Sequence, residues 1–284
     1  MTWTYINREW IETDSPAIPM HEAGFLRGDG IFESIPVKDG FVFRLEDHVR
    51  RLFEGAEAIR IRLQESPKDV ELLVDEYIRR NQLLNAVIRV IITRGVYQDM
   101  PWNYAGPNSI YITHASAPSV PGIPAKIVFL EEKDYPLIRK HPAIKSLNYL
   151  GNMLAKMDAH EAGAFEPVMV NRDGYITEGG IRNVFFVQDD TLLTPPTSLG
   201  ILQGTMRDTV VEVAGRESIV CRESLITRED ADRMDEAFLT SSSLHVLPIY
   251  WDGWRSEYRV TNRLKDALNE FIRHHRQKRG ANGV

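Results

Sequence analysis

The chain has 284 residues, room for one large domain or two moderate ones and for a core that needs no crosslinks. A formal net charge of −6 and a pI near 5.8 exclude generic nucleic-acid binding, which needs a basic face to displace counterions. The single cysteine, Cys221, excludes an intrachain disulfide, and no stretch approaches the ~20 apolar residues of a membrane helix.

The N-terminus shows no basic region followed by an apolar run, so a cytoplasmic protein is expected. Residues 31–44 read as a hairpin: Ile31–Val37 is strand-like, Lys38-Asp39-Gly40 is turn chemistry, and Phe41-Val42-Phe43 resumes the strand. A helix follows, with Leu45, Val49, Leu52, Ala56 and Ile59 at helical spacing. A second helix opens at Ser66-Pro67, where Ser caps and Pro suits the first turn; Val70, Leu73, Val74, Tyr77 and Ile78 form its apolar face. Val87–Thr93 and Ser109–Thr113 are strands. Prolines and a glycine crowd residues 114–124, which places a boundary there. The expected organisation is a small domain over 1–115, a linker over 116–124 and a larger domain over 125–284.

The second half opens on a strand at Lys126–Leu130. A helix is expected directly after Lys145, with Leu147, Leu150, Leu154 and Met157 on one face. Short strands cover Val168–Asn171 and Asn183–Val187. A helix starts near Thr205 with Val210, Val211 and Ala214 in its core face. Phe238-Leu239 runs into a Thr240-Ser241-Ser242-Ser243 loop, and Leu264, Leu268, Phe271 and Ile272 mark the last helix. The basic run Arg273–Arg279 reads as a solvated helix end. Strands and helices come in mixed blocks, which argues α+β.

Several chemistries lack their residues. No His-Glu-x-x-His or Cys-x-x-Cys supports a metal site, and no Walker loop, Gly-x-Gly-x-x-Gly or Gly-x-Ser-x-Gly is present. Four segments remain. Lys145 sits among apolar residues at an expected helix start, where desolvation and the dipole would make an amine more nucleophilic. Glu178 precedes Gly179-Gly180, and glycines let backbone approach a ligand. Gly204-Thr205-Met206 opens a helix, which suits an anion, and the Thr240–Ser243 loop offers hydroxyls and amides. Taken singly, each also fits a plainer role: a solvated lysine, a surface turn, a helix cap, a polar loop.

Together and in this order the four resemble the fold-type IV enzymes that use pyridoxal 5′-phosphate (PLP). These comprise branched-chain and D-amino-acid aminotransferases and aminodeoxychorismate lyases. Gly28-Asp29-Gly30-Ile31-Phe32-Glu33 and His48-Val49-Arg50-Arg51-Leu52 carry the likeness into the first half. The resemblance implies a small α/β N-terminal domain and a larger domain with a β-barrel-like sheet. It implies a homodimer with the active site between domains, the 97–102 loop reaching in from the partner subunit. It makes Lys145 the residue that carries the cofactor covalently and shuttles the proton, and Glu178 the partner of the pyridine nitrogen. It gives the cofactor phosphate to Arg51, in preference to Arg50, and to Thr205, Met206, Ser241 and Ser242. Leu202 would pack on the ring, and Tyr149 would lie near its phenolic oxygen.

The implied reaction moves an amino group between an amino acid, branched-chain L or D, and a 2-keto acid, with ping-pong kinetics. Phe32, Ser34, Arg89, Arg94 and the 97–102 loop are the candidate substrate contacts. Residues 144–161 resemble D-amino-acid enzymes, but their Arg-x-His carboxylate trap is replaced here by Val96-Tyr97-Gln98-Asp99-Met100. Phe32-Glu33, Tyr149 and Ile88-Arg89 resemble branched-chain enzymes, while Ser34 lies where the lyases carry a Thr. An aminodeoxychorismate lyase and an amine transaminase are therefore alternatives, and a catalytically inactive PLP carrier is an alternative of another class. No nucleic-acid or membrane partner and no metal is expected.

Overall fold

The computed structural model describes residues 2–12, 14–97, 100, 106–119, 121 and 124–281, with side chains through residue 277. The chain divides into two compact units: Met1–Pro118 with Ile144–Asn148, and Ser119–Ala143 with Tyr149–Val284.

The first unit is built on five antiparallel strands: β1 (Trp3–Ile6), β2 (Glu9–Glu12), β3 (Gly30–Lys38), β4 (Asn85–Thr93) and β5 (Ser109–Ser116), in spatial order β2-β1-β5-β4-β3. Its helices are α1 (Ala23–Arg27), α2 (Leu45–Ala58) and α3 (Pro67–Arg80). Strand side chains alternate, so Ile31, Ile35 and Val37 of β3 enter one core with Ile88, Val90 and Ile92 of β4 and Ile110 and Ile112 of β5. Leu45, Val49, Leu52 and Ala56 of α2 and Val70, Val74 and Tyr77 of α3 cover it. The predicted cap of α3 is present as a full capping box between Ser66 and Asp69.

The hairpin expected over 31–44 is not formed. Phe41 makes one bridge back to Lys38, and the backbone then turns at Arg44 (φ 53°) into α2. β3 instead pairs along its whole length with β4, whose apolar alternation matches its own over nine residues.

The second unit carries an eight-stranded mixed sheet. Its strands are β6 (Ala125–Glu131), β7 (Glu166–Val170), β8 (Ile176–Gly179), β9 (Asn183–Gln188), β10 (Thr191–Thr194), β11 (Cys221–Glu223), β12 (Glu236–Ser241) and β13 (His245–Tyr250). The order is β11-β10-β9-β12-β13-β6-β7-β8. The edge strand β8 returns to β9 through a turn closed by the Gly179 N–H on the Arg182 carbonyl (2.6 Å), so the sheet curls back on itself. β7 is buried along its whole length and β9 along all but its last residue, which is why they read as apolar runs and not as alternations. The helices are α4 (Leu150–Glu161), α5 (Thr205–Arg216), α6 (Arg228–Ala231) and α7 (Arg259–Ala281). Buried Glu236 accepts from the Val260 N–H (2.8 Å) and the Thr261 N–H (2.7 Å) and so caps α7 with a carboxylate at its positive end. This is the α+β architecture expected from the mixed blocks of elements.

Four expectations change. The helix after Lys145 begins five residues later, at Leu150, so Lys145 gains nothing from a helix dipole. Its buried face is Gly151, Ala155 and Ala159, not the large residues: a Cβ on Gly151 would stand 2.6 Å from the Pro136 carbonyl oxygen, so only small side chains fit, while Leu150, Leu154 and Met157 are exposed. On α5 the core is formed by Val210, Val213 and Ala214, and Val211 faces outward. Residues 144–148 also belong to the first unit rather than the second, because the Phe32 N–H donates to the Lys145 carbonyl (2.9 Å) and the Leu147 N–H to the Gly30 carbonyl (3.0 Å).

Among the described residues no helix is long and apolar enough to cross a membrane, and no group of three His, Cys, Asp or Glu could hold a metal.

Candidate active site

In the first unit the predicted residues gather around β3. The strand lies at the sheet edge, and Lys145–Leu147 lines that edge through the two backbone bonds just described and an Ile31–Ser146 bridge. Half-buried Lys145 thereby places its Nζ 4.5 Å from the centre of the Phe32 ring, an electrostatically favourable seat for an ammonium. Phe32 and Ser34 point away from the helix-covered core. Arg89, exposed on β4, stands opposite Ser34 in register, with its guanidinium carbon 5.0 Å from the Phe32 ring.

Glu33 points the other way, toward α2, and is 1 % exposed. Both its oxygens are taken: Arg51 Nε donates to Oε1 (2.7 Å), Arg51 Nη2 to Oε2 (2.8 Å), and His48 Nδ1 stands 2.9 Å from Oε2. Burial alone would raise this carboxyl; the Arg51 charge and the hydrogen bonds of His48 and Arg51 outweigh it and bring it down to about 2. An ionised carboxylate only accepts, so the His48 proton sits on Nδ1. Arg50 is exposed on the other side of α2 and pairs with Asp47 and Glu54.

Arg94 is held at both ends of its guanidinium. Its Nε (2.7 Å) and Nη2 (3.0 Å) hold Asp29, and Nη2 and Nη1 donate to the carbonyls of Ile59 (2.9 Å) and Arg60 (3.2 Å). It clamps the Gly28–Gly30 turn to the end of α2. Buried Glu22 similarly anchors the chain before the 97–102 loop: it accepts from Ser109 Oγ (3.0 Å), the Tyr111 hydroxyl (2.7 Å) and the Thr93 hydroxyl. Burial first, and then this carboxylate, push Tyr111 up to about 12. Of the 97–102 loop, Gln98, Asp99, Pro101 and Trp102 lie outside the described residues.

In the second unit Glu178 is the penultimate residue of β8 and is half-buried. Arg139 donates to its Oε1, and the Leu202 N–H to its Oε2 (3.2 Å). Arg139 also reaches Glu132 through Nε (2.9 Å) and Nη2 (2.6 Å). Burial would lower the Arg139 pKa, but the Glu178 and Glu132 charges raise it, so it remains a cation. Beneath the turn that follows Glu178 lies fully buried Glu166, which accepts from Lys156 Nζ (2.7 Å), the Ile181 N–H (2.9 Å) and the Arg182 guanidinium. These charges compensate one another inside the fold and fix the backbone that presents Glu178.

The same unit holds the two segments expected to face a phosphate. Gly204 precedes α5, whose first N–H groups have no side-chain cap, and a Cβ there would stand 2.2 Å from Asn183 Oδ1. The glycine thus lets Asn183 close in and donate to the Leu202 carbonyl (2.8 Å). Buried Thr205 meets Ser242 hydroxyl to hydroxyl at 2.8 Å, and Ser241 lies 3.3 Å from Ser243 in the turn after β12. The side chain of Met206 is buried in the helix core, so only its backbone N–H is offered to a ligand. A twelve-residue helix opened by a glycine, with paired hydroxyls beside it, suits a phosphate group. Tyr149 is half-buried just ahead of α4.

Sequence reasoning missed Glu33, His48, Glu166 and Arg139 as site-forming residues. Glu33 had a signal: one carboxylate on the core side of a strand otherwise lined by Ile31, Ile35 and Val37. Arg139 had none, lying in an irregular segment with its Glu178 partner thirty-nine residues away.

The family model for amino-transferase class IV matches residues 30–250. A Methanocaldococcus jannaschii protein, assigned as a branched-chain-amino-acid aminotransferase, is 31 % identical over 94 % of this chain and 95 % of its own length. A D-alanine aminotransferase of Listeria monocytogenes is 28 % identical over 86 % of this chain and 85 % of its own. The branched-chain aminotransferase structure from Thermoproteus uzoniensis superposes with a TM-score of 0.87 at 24 % identity, covering 95 % of this chain and 94 % of that one. With the family model spanning most of the chain and a relative above 30 % identity over nearly all of it, the chain belongs to the class IV aminotransferases and is an enzyme of that family.

Proposed function

We propose that this enzyme uses PLP to move an amino group from an amino acid to a 2-keto acid, with Lys145 as the residue that binds the cofactor covalently. The observation that carries the reading is the seating of Lys145: backbone-bonded to the edge of β3, with its amine over Phe32, beside the strand residue that holds Arg51. The donor set fits the group. Arg51, the N–H groups of Thr205 and Met206 and the hydroxyls of Thr205 and Ser242 would hold the phosphate, with Ser241 beside them. Glu178, steadied by Arg139 and the Leu202 N–H, would hold a protonated ring nitrogen; Leu202 would pack on the ring and Tyr149 lie near its phenolic oxygen.

PLP, when bound, supplies a ring that withdraws electrons from the reacting carbon. The protein's part is to place groups. Lys145, as the base beside the reacting carbon, would take up the α-proton of the amino acid and hold it for return. Glu178 would keep the ring nitrogen protonated. With one water supplying the carbonyl oxygen, the donor would leave as a keto acid, and a second keto acid would take up the amino group by the reverse steps, returning that water. Branched-chain and D-amino acids are the donor classes, on the strength of the two relatives. Ser34 favours a second reading, an aminodeoxychorismate lyase: its hydroxyl shares the face of Phe32 and stands opposite Arg89. The active enzyme is a homodimer, a reading supported by the apolar stripe Leu150, Met153, Leu154 and Met157 exposed along α4.

The test is visible absorption. Purified protein incubated with PLP develops the band of the lysine-bound cofactor, and Lys145→Ala abolishes it. L-leucine or D-alanine bleaches the band if the enzyme is a transaminase; release of product from aminodeoxychorismate alone assigns the lyase. A protein that stays colourless with PLP overturns the reading.

A further inference from the structure

The dipeptide Phe32-Glu33 touches two cationic groups at once. Phe32 binds Lys145 by its backbone N–H (2.9 Å to the carbonyl) and by its ring (4.5 Å to Nζ). Glu33, on the opposite face of the same strand, grips Arg51 at two points (2.7 and 2.8 Å). A two-point fork fixes the plane of a guanidinium, where a single contact would let it swing. His48, one turn before Arg51 on α2, takes the remaining approach to Oε2 (2.9 Å), so the carboxylate itself cannot rotate. Such a carboxylate is costly to place in an apolar layer, and the strand carries it there although Ile or Val would suit the core better.

We propose that Glu33 is a positioning residue for the cofactor phosphate, acting through Arg51. It ties the guanidinium to the strand that seats Lys145, so the reach from amine to phosphate contact is set by adjacent residues of β3. The inference rests on the assignment of Lys145 and Arg51 made above. It opposes what charge alone would do: removing the Glu33 charge leaves Arg51 a less neutralised cation, which by simple attraction would tighten a phosphate. Orientation and charge therefore predict opposite signs.

The experiment compares dissociation constants of PLP and of pyridoxal, which lacks the phosphate, for wild type, Glu33→Gln, Glu33→Asp and Arg51→Gln. If Glu33 orients Arg51, Glu33→Gln weakens PLP by about ten- to a hundred-fold, the scale of one charge-assisted hydrogen bond, and leaves pyridoxal within about two-fold. Glu33→Asp keeps the charge but shortens the reach and shows the same selective loss in smaller measure. Equal loss for PLP and pyridoxal, or tighter PLP, overturns the proposal. Should Glu33→Gln not fold, the PLP-to-pyridoxal ratio of Glu33→Asp decides. Arg51→Gln separates the two levels. If it too loses PLP and pyridoxal equally, the assignment of Arg51 to the phosphate fails; if it is phosphate-selective while the Glu33 variants are not, only the role of Glu33 fails.

Discussion

Acid stability gives a direct measure of the Glu33 arrangement. Its carboxyl falls from the ordinary 4.5 to about 2 because Arg51 and His48 favour the ionised form more than burial disfavours it. A depressed folded-state pKa contributes stability that is fully present above the unfolded value and is lost as pH falls through the folded one. At ~1.4 kcal/mol per pH unit the fall is worth about 3 kcal/mol near neutrality, and the side chain is 1 % exposed, so solvent screens little of it. Glu33→Gln cannot titrate and lacks this component. Urea unfolding of wild type and Glu33→Gln, followed by far-UV circular dichroism in steps from about pH 7 to about pH 2, should show a gap that is widest at neutrality and closes between about pH 4.5 and pH 2. A gap of constant size across the titration would refute the reasoning, because it would mean the carboxylate is not held ionised by its partners.

Gly204→Ala should cost about 1–3 kcal/mol, since the new Cβ drives Asn183 off the Leu202 carbonyl, and should weaken PLP more than pyridoxal; paired urea and cofactor titrations check both. Glu236→Gln, which replaces the carboxylate capping α7, should lower stability by about 1–2 kcal/mol with little change in cofactor affinity, read from the same two titrations. Leu150→Lys with Met157→Glu on α4 should shift sedimentation toward monomer, and an unchanged sedimentation coefficient would remove that stripe from the dimer interface.

Much of this protein was readable because local rules and tertiary context agreed. Ser66-Pro67 with Asp69 specified a helix start by caps that need no neighbours, and α2 and α5 followed from apolar residues at helical spacing. The order of Lys145, Glu178, Gly204-Thr205 and the Ser241-Ser242 turn identified the family before any coordinate was known. Other elements depended on partners. The strands β1, β2, β8, β10 and β11 are three or four residues long, too short for alternation to register, and they exist because a neighbouring strand accepts their hydrogen bonds. Phe41–Phe43 had strand chemistry but lost its place to β4, which offered β3 nine residues of pairing. The face of α4 inverted because the helix packs so closely at Gly151 that an added Cβ would stand 2.6 Å from the Pro136 carbonyl oxygen, a constraint set by what lies across from it.

At the site the division is similar. Residue identity determined which groups could do the chemistry: one lysine among apolar neighbours, a carboxylate before two glycines, a glycine opening a helix. Tertiary structure decided what each is free to do. Arg94 and Arg51 look alike in sequence, yet Arg94 is consumed by Asp29 and two carbonyls, while Arg51 is held by a carboxylate from the strand that seats Lys145. Ionic partnerships across eighteen or thirty-nine residues, Glu33 with Arg51 and Arg139 with Glu178, depend on where the chain returns in space, and no local pattern encodes that return.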